Sequence, residues 1–158
     1  MNAEHPAPRV PGLSFDYDGS PPLVLARAIH DAMIDHCRAL APAEACGLIA
    51  GRTIAHADAL YRLGNELASA TRYRADPRDL FQALRNMRAN GEHLLAIYHS
   101  HPQTAAIPSQ TDLRLNYYGP MPRIIVSLAQ AEPVVRVWSL EPSTYRELAW
   151  SIEPDSVP

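Results

Sequence analysis

His99 and His101 flank Ser100 at the end of an apolar run, Leu94-Leu95-Ala96-Ile97-Tyr98, and Pro102 follows them. The run reads as a buried strand. Alternate residues of a strand point to one face, so both imidazoles can reach one metal ion while Ser100 points away. Pro102 has no N–H for a ladder and ends the strand. Seven residues separate His101 from Ser109, and two more separate Ser109 from Asp112. A loop of that length can fold back and set the Asp112 carboxylate beside the imidazoles. Two nitrogens and one carboxylate oxygen leave one corner of a tetrahedron open, the arrangement of a catalytic metal site. The same residues have a plainer reading. Ser109 as N-cap with Asp112 at N3, and Pro108 just outside, is how a helix begins. The two readings are compatible.

With Glu44 added upstream, the pattern Glu44, His99-Ser100-His101, Ser109 and Asp112 resembles the JAMM zinc metallopeptidases, also called MPN+, Mov34/PAD-1 or JAB. Pro42-Ala43-Glu44-Ala45-Cys46-Gly47-Leu48-Ile49-Ala50-Gly51 fits the same family in its short bacterial form. The similarity extends from about Leu23 to Ile152 and every signature position is filled. It implies a single JAB/MPN-type α/β domain with a cytidine-deaminase-like layout. It implies one Zn2+ per chain, held by His99, His101 and Asp112. Glu44 would take a proton from water and return it to the leaving amine, and Ser109 would donate to the oxyanion.

Members of this family hydrolyse a peptide or isopeptide bond after the C-terminal Gly-Gly of a ubiquitin-like protein. Ubiquitin-chain-selective members carry insertions, one of them supported by a second zinc. Here ten residues separate Asp112 from Arg123, and neither His nor Cys occurs after His101. The chain is therefore similar to the compact peptidases that process sulfur-carrier proteins, of the CysO-cysteine type. A phage-tail or cell-wall JAB peptidase and a catalytically inert MPN interaction module stay open as alternatives. Metal content and cleavage of a tailed carrier separate the inert module from the enzyme; neighbouring genes separate the two peptidases.

Composition narrows the class. The 158 residues suit one domain with one core, too few for a (β/α)8 barrel of typically ~250 residues with a His-x-His strand. No Pro-Cys-x-x-Cys element of the zinc deaminases is present. A net charge of −3 argues against an electrostatic nucleic-acid binder. No stretch approaches the ~18 apolar residues of a membrane span, and no secretory signal is visible. Cys37 and Cys46 lack metal or disulfide spacing, consistent with a reduced cytoplasmic protein. All 14 basic residues are arginine, the mark of a GC-rich genome. The expected partner is a small Gly-Gly-tailed carrier, with no nucleic acid or membrane, and a homodimer is compatible with the sequence.

The elements that must position these residues follow in order. Residues 1–22 carry five prolines and read as an extended lead-in. The domain is expected over 23–152, with 153–158 as a tail. Ala26, Ile29, Met33, Cys37 and Leu40 recur at helical spacing after a start at Ser20-Pro21-Pro22, with His30 and His36 on the polar side. Glu44 precedes a strand from Cys46 to Ala50, and Gly51-Arg52 turns into a second from Thr53 to Leu63. Asp76-Pro77 opens a helix whose buried stripe is Leu80, Phe81, Leu84 and Met87, closed by Asn90-Gly91. A third helix spans about Ser109 to Tyr117. Strands follow at Arg123–Leu128, Val134–Leu140 and Tyr145–Ile152. The fold class is one α/β domain with a mixed, mainly antiparallel sheet.

Overall fold

A computed structural model describes residues 21–154. Its core is a six-stranded sheet. β2 (Cys46–Gly51), β4 (Ala59–Leu63), β5 (His93–His101), β6 (Arg123–Ser127), β7 (Val134–Leu140) and β8 (Tyr145–Leu148) lie in the order β4-β2-β5-β6-β7-β8. Only β5 and β6 run parallel; the other four pairings are antiparallel. β5 is central because its apolar run is buried on both faces. A parallel neighbour needs a crossover, and residues 102–122 supply it. This is the mixed, mainly antiparallel sheet expected of a single α/β domain.

Register decides what each face carries. His99 stands opposite Cys46 on β2 and Ile125 on β6, and Ile97 opposite Leu48 and Arg123. Ile97, His99, His101, Arg123 and Ile125 therefore share one face. On the other face Tyr98, Ile49, Ile124 and Val126 pack against Met33 and Cys37 of α1 (Arg27–Leu40). The metal-candidate face is covered at one end by Ala83 and Met87 of α2 (Pro77–Asn90). At the other end lies Leu113 of α3 (Gln110–Arg114), in a cluster with Ala106, Ile125 and Trp138. The site opens between these two covers. Gly47 lets the sheet close over Tyr98, because a Cβ there would collide with the Tyr98 ring and the Tyr61 carbonyl.

A second sheet was not legible in the sequence. β1 (Leu23–Leu25), β3 (His56–Ala57) and β9 (Trp150–Ile152) pair in parallel in the order β3-β1-β9. It breaks two expected strands. The Thr53–Leu63 strand is interrupted, with β3 leaving to join β1, and Tyr145–Ile152 divides at Ala149 into β8 and β9. β1 also displaces the expected helix start. Ser20 lies outside the described residues, Pro21 and Pro22 lead into a strand, and α1 begins after Ala26 with no side-chain cap.

Other expectations change in detail. Asp76 caps α2 through the Arg78 and Asp79 N–H groups, and Gly91 closes it at φ 68°, as read from the sequence. The buried stripe of α2 is Ala83 and Met87 with Leu80 partly covered, while Phe81 is 63% exposed and Leu84 45%. Each step along a helix turns the side chain by about 100°, so residues 80, 83 and 87 share the inner face and the two larger side chains fall beside it. His36 is buried, not on the polar side, and its Nδ1 lies 2.7 Å from the Tyr98 hydroxyl. α3 stops at Arg114, short of Tyr117. Of the lead-in over 1–22 only Pro21 and Pro22 are described, and of the tail over 153–158 only Glu153 and Pro154, where Glu153 N–H donates to Leu25 O at 2.8 Å.

Candidate metal centre

Strand alternation brings the two imidazoles together. His99 Nε2 and His101 Nε2 are 3.1 Å apart, both on buried side chains. Each second ring nitrogen has a different environment. His101 Nδ1 lies 2.8 Å from the Ala105 carbonyl, which can only accept, so Nδ1 carries the proton and the Nε2 lone pair faces its neighbour. His99 Nδ1 is buried without a hydrogen-bond partner. The His99 ring is held by packing, with Tyr73 stacked on it at 4.8 Å between centroids and 27° between planes.

Asp112 arrives from the crossover. Three successive carbonyls of that loop are pinned: Thr104 by Ser127 Oγ at 2.5 Å, Ala105 by His101, and Ala106 by Trp138 Nε1 at 2.9 Å. The loop ends in the Ser109–Asp112 capping box that starts α3. Ser109 N–H donates to Asp112 Oδ2 at 2.7 Å, and Asp112 N–H returns to Ser109 Oγ at 3.1 Å. The cap and the site coexist, because Asp112 also reaches the histidines. Its Oδ1 is 3.1 Å from His99 Nε2 and its Oδ2 3.3 Å from His101 Nε2.

The two imidazole nitrogens are thus 3.1 Å apart, and each lies 3.1 or 3.3 Å from a different oxygen of the one carboxylate, so one donor atom from each residue falls within 4.8 Å of the others. Ligands at 2.0–2.1 Å from a tetrahedral zinc are about 3.3–3.4 Å from one another. The donor set and its spacing therefore fit that ion, with one corner left open. Charge favours it too. Burial would raise the Asp112 pKa, but the neighbouring imidazoles of His101 and His99, with the Ser109 N–H, hold the carboxyl far below the ordinary range. Burial lowers the His99 pKa, against the pull of Asp112, so the ring is neutral and its lone pair available. His101 loses basicity to burial but gains more from Asp112 and Ala105, and its pKa is raised; the same anion would attract a metal cation.

Glu44 lines the same cavity as His99 and Asp112. Its side chain is buried, and burial pushes its carboxyl up to about 7, with His101 lowering and Asp112 raising it. Its backbone is clamped: Glu44 N–H donates to Ser69 O at 2.7 Å, and Asn65 Nδ2 donates to Glu44 O at 3.0 Å. Ser100 fixes the next residue, accepting from Ala45 N–H at 2.8 Å and donating its own N–H to Ala45 O at 2.9 Å. Ser109 sits at the rim with its hydroxyl proton directed to Asp112 Oδ2 at 2.8 Å, so an oxyanion role requires that hydroxyl to turn. Burial pushes the thiols of Cys37 and Cys46 up to about 12, which leaves both inert.

A model of the family described as prokaryotic homologs of the JAB domain matches residues 26–141. The chain belongs to that family. Its Glu44, His99, His101, Ser109 and Asp112 all fall inside the matched JAB segment. A desampylase of Haloferax volcanii is 34% identical over 98 residues, 57% of this chain and 69% of that one. A CysO-cysteine peptidase of Mycobacterium tuberculosis is 37% identical over 98 residues, 59% of this chain and 64% of its own length, just under two thirds. A JAB1/MPN domain protein of Archaeoglobus fulgidus shares the fold, at TM-score 0.59 and 18% identity, over 85% of this chain and all of that one. The single JAB/MPN-type domain is thus shared architecture.

Three residues of this JAB site gave little sign of themselves in the sequence. Asn65 reads as the end of a strand, yet it also accepts from Leu67 N–H and Arg74 N–H and donates to Arg72 O, so it folds the loop that carries Tyr73. Tyr73 and Arg123 come from segments far from the motif. An asparagine just past a strand is the one available clue.

Proposed function

We propose that this chain is a zinc-dependent peptidase that cuts a peptide or isopeptide bond after the C-terminal Gly-Gly of a ubiquitin-like protein. The observation that carries it is the His99–His101–Asp112 cluster, with Glu44 lining the same cavity as His99 and Asp112. One Zn2+ per chain would sit on those three donors. When bound, the ion polarises the scissile carbonyl and lowers the pKa of water from about 15.7 to roughly 7.

The remaining steps belong to the chain's own residues. The Glu44 carboxylate takes the proton of the attacking water. A group that titrates near neutrality can both accept that proton and return it to the leaving amine. The clamp on its backbone keeps it aimed while its charge changes. The Ser109 hydroxyl, turned from Asp112, donates to the oxyanion. Tyr73 keeps the His99 ring in plane, and no covalent enzyme intermediate is needed.

Substrate choice follows the compact shape. The ten residues between Asp112 and Arg123 leave no room for a structure that grips a second ubiquitin. A relative's name, CysO-cysteine peptidase, supports a sulfur-carrier protein as the single globular partner. β4 is an edge strand, and through Cys46 its Leu63 end lies two strands from His99, so an extended tail can add there. No helix among the described residues is long and apolar enough to cross a membrane. The test is mass spectrometry of a carrier extended beyond Gly-Gly, beside di-ubiquitin. The extended carrier is cut and di-ubiquitin is left largely intact; an untouched carrier overturns the assignment.

A further inference from the structure

Arg123 is a buried cation without an anion. The residue is 4% exposed, yet no carboxylate among the described residues pairs with it. Its partners are neutral: Nη1 donates to the Tyr73 hydroxyl at 3.2 Å and Nη2 to Asn116 Oδ1 at 2.7 Å. The guanidinium also lies over the Tyr118 ring, 5.5 Å from its centroid. Two of five N–H groups are thereby used, and Nε is buried with no acceptor. Taking a guanidinium out of water is costly unless an anion compensates. Neutral acceptors and one ring offset only part of that.

The cavity that Arg123 lines has a volume of about 480 Å³ and shares its wall with Glu44, His99 and Asp112. Tyr73 links the two ends, with its ring on His99 and its hydroxyl on Arg123. Leu80, Leu115 and Leu140 add apolar wall, and the exposed Arg72 and Arg74, the latter paired with Glu66, line it as well, so Arg123 is its buried cation. A ligand that spans it meets the candidate metal centre at one end and an unpaired guanidinium at the other. A planar carboxylate is the group whose two oxygens match the guanidinium fork.

We infer that Arg123 and this cavity form a subsite for the free C-terminal carboxylate of the group released by cleavage. The inference rests on the peptidase reading above and narrows it. The enzyme trims a single amino acid or a very short tail from the carrier, because a long protein in the leaving position has no carboxylate within one residue of the cut.

The test separates binding from cleavage. The probes are acetyl-Gly-Gly-Leu as the free acid and as the C-terminal amide. Both are titrated calorimetrically into the metal-loaded full chain carrying Glu44→Gln, then cleaved by the wild type. The acid binds at least tenfold more tightly than the amide, and kcat/KM falls by a similar factor on amidation. In Arg123→Gln the acid and amide become equivalent, while Arg123→Lys keeps part of the preference. Equal binding of acid and amide to the chain with Arg123 intact overturns the subsite, as does failure to bind either. A preference that survives Arg123→Gln removes Arg123 from it. An acid preference without cleavage would sink the peptidase reading and leave the subsite standing.

Discussion

Tyr73 lies nearly flat on His99 and holds Arg123 through its hydroxyl, so one loop side chain touches both ends of the cavity. Because His99 Nδ1 has no hydrogen-bond partner, this stacking contact takes the orienting role that an acceptor behind the imidazole has at many metal sites.

Tyr73→Ala should therefore weaken metal binding without removing a ligand. Loss of an outer-shell partner typically costs 10–100-fold in affinity. Competition with a coloured chelator measures it, and circular dichroism checks that the fold persists. Unchanged affinity in a folded variant would mean that the sheet alone orients His99.

His101→Ala should release the metal. With one of three donors gone, Nε2 of His99 and one carboxylate oxygen remain. Elemental analysis of wild type and variant is the measurement. Equal zinc in both proteins, each folded, contradicts the ligand assignment.

Glu44→Gln should keep the metal and lower turnover by ~10²–10⁴-fold, the usual worth of a positioned acid–base group. Normal turnover by the purified variant would remove Glu44 from the chemistry. Loss of zinc in it would instead make Glu44 a ligand.

The same substitution predicts a pH effect on the stability of the metal-free chain. Burial raises the Glu44 pKa from 4.5 to about 7, so the folded state holds this proton more tightly than the unfolded state. The corresponding stability is fully present below pH 4.5 and is lost as pH rises to 7. That difference corresponds to about 3–4 kcal/mol at most, and to less once solvent screening is allowed for. In urea with a chelator, Glu44→Gln should gain on the wild type between pH 5 and pH 8 (~pH values that bracket the titration). A constant gap between the two proteins across that interval would show that Glu44 titrates normally.

Gly47→Ala should destabilise the chain by about 1–3 kcal/mol or more, the cost of overpacking a filled core. The added Cβ meets the Tyr98 ring and, on the other side, the Tyr61 backbone, which cannot rotate away. Thermal unfolding reads it out. A variant as stable as wild type would mean that the sheet flexes there at little cost.

The metal triangle was readable because its chemistry demands fixed residue types on one strand and one helix cap. His99 and His101 need only strand alternation to face together. Asp76 and Gly91 were readable for the same local reason, each fixing one end of α2. Tyr73, Asn65 and Arg123 were not, because their roles arise from loop and sheet contacts across long sequence separations. β1, β3 and β9 span three, two and three residues, too short for any period to register. In α2, bulk misled: Ala83 carries the inner face and Phe81 lies outside, where Arg85 covers its ring at 5.8 Å.

The pins on residues 104–106 have an evolutionary corollary. Ser127, His101 and Trp138 each grip a carbonyl oxygen, a group that every amino acid possesses. Thr104 and Ala105 are exposed, so nothing in the pinning restricts their side chains, whereas Ala106 is held small by its burial. Selection on this segment should then act on its length and spare much of its spelling. An insertion or deletion between His101 and Ser109 would put the carbonyls out of step with their donors and carry Asp112 away. Substitutions at Thr104 and Ala105 should drift freely, and the constraint should surface instead at Ser127 and Trp138, on strands distant in the chain.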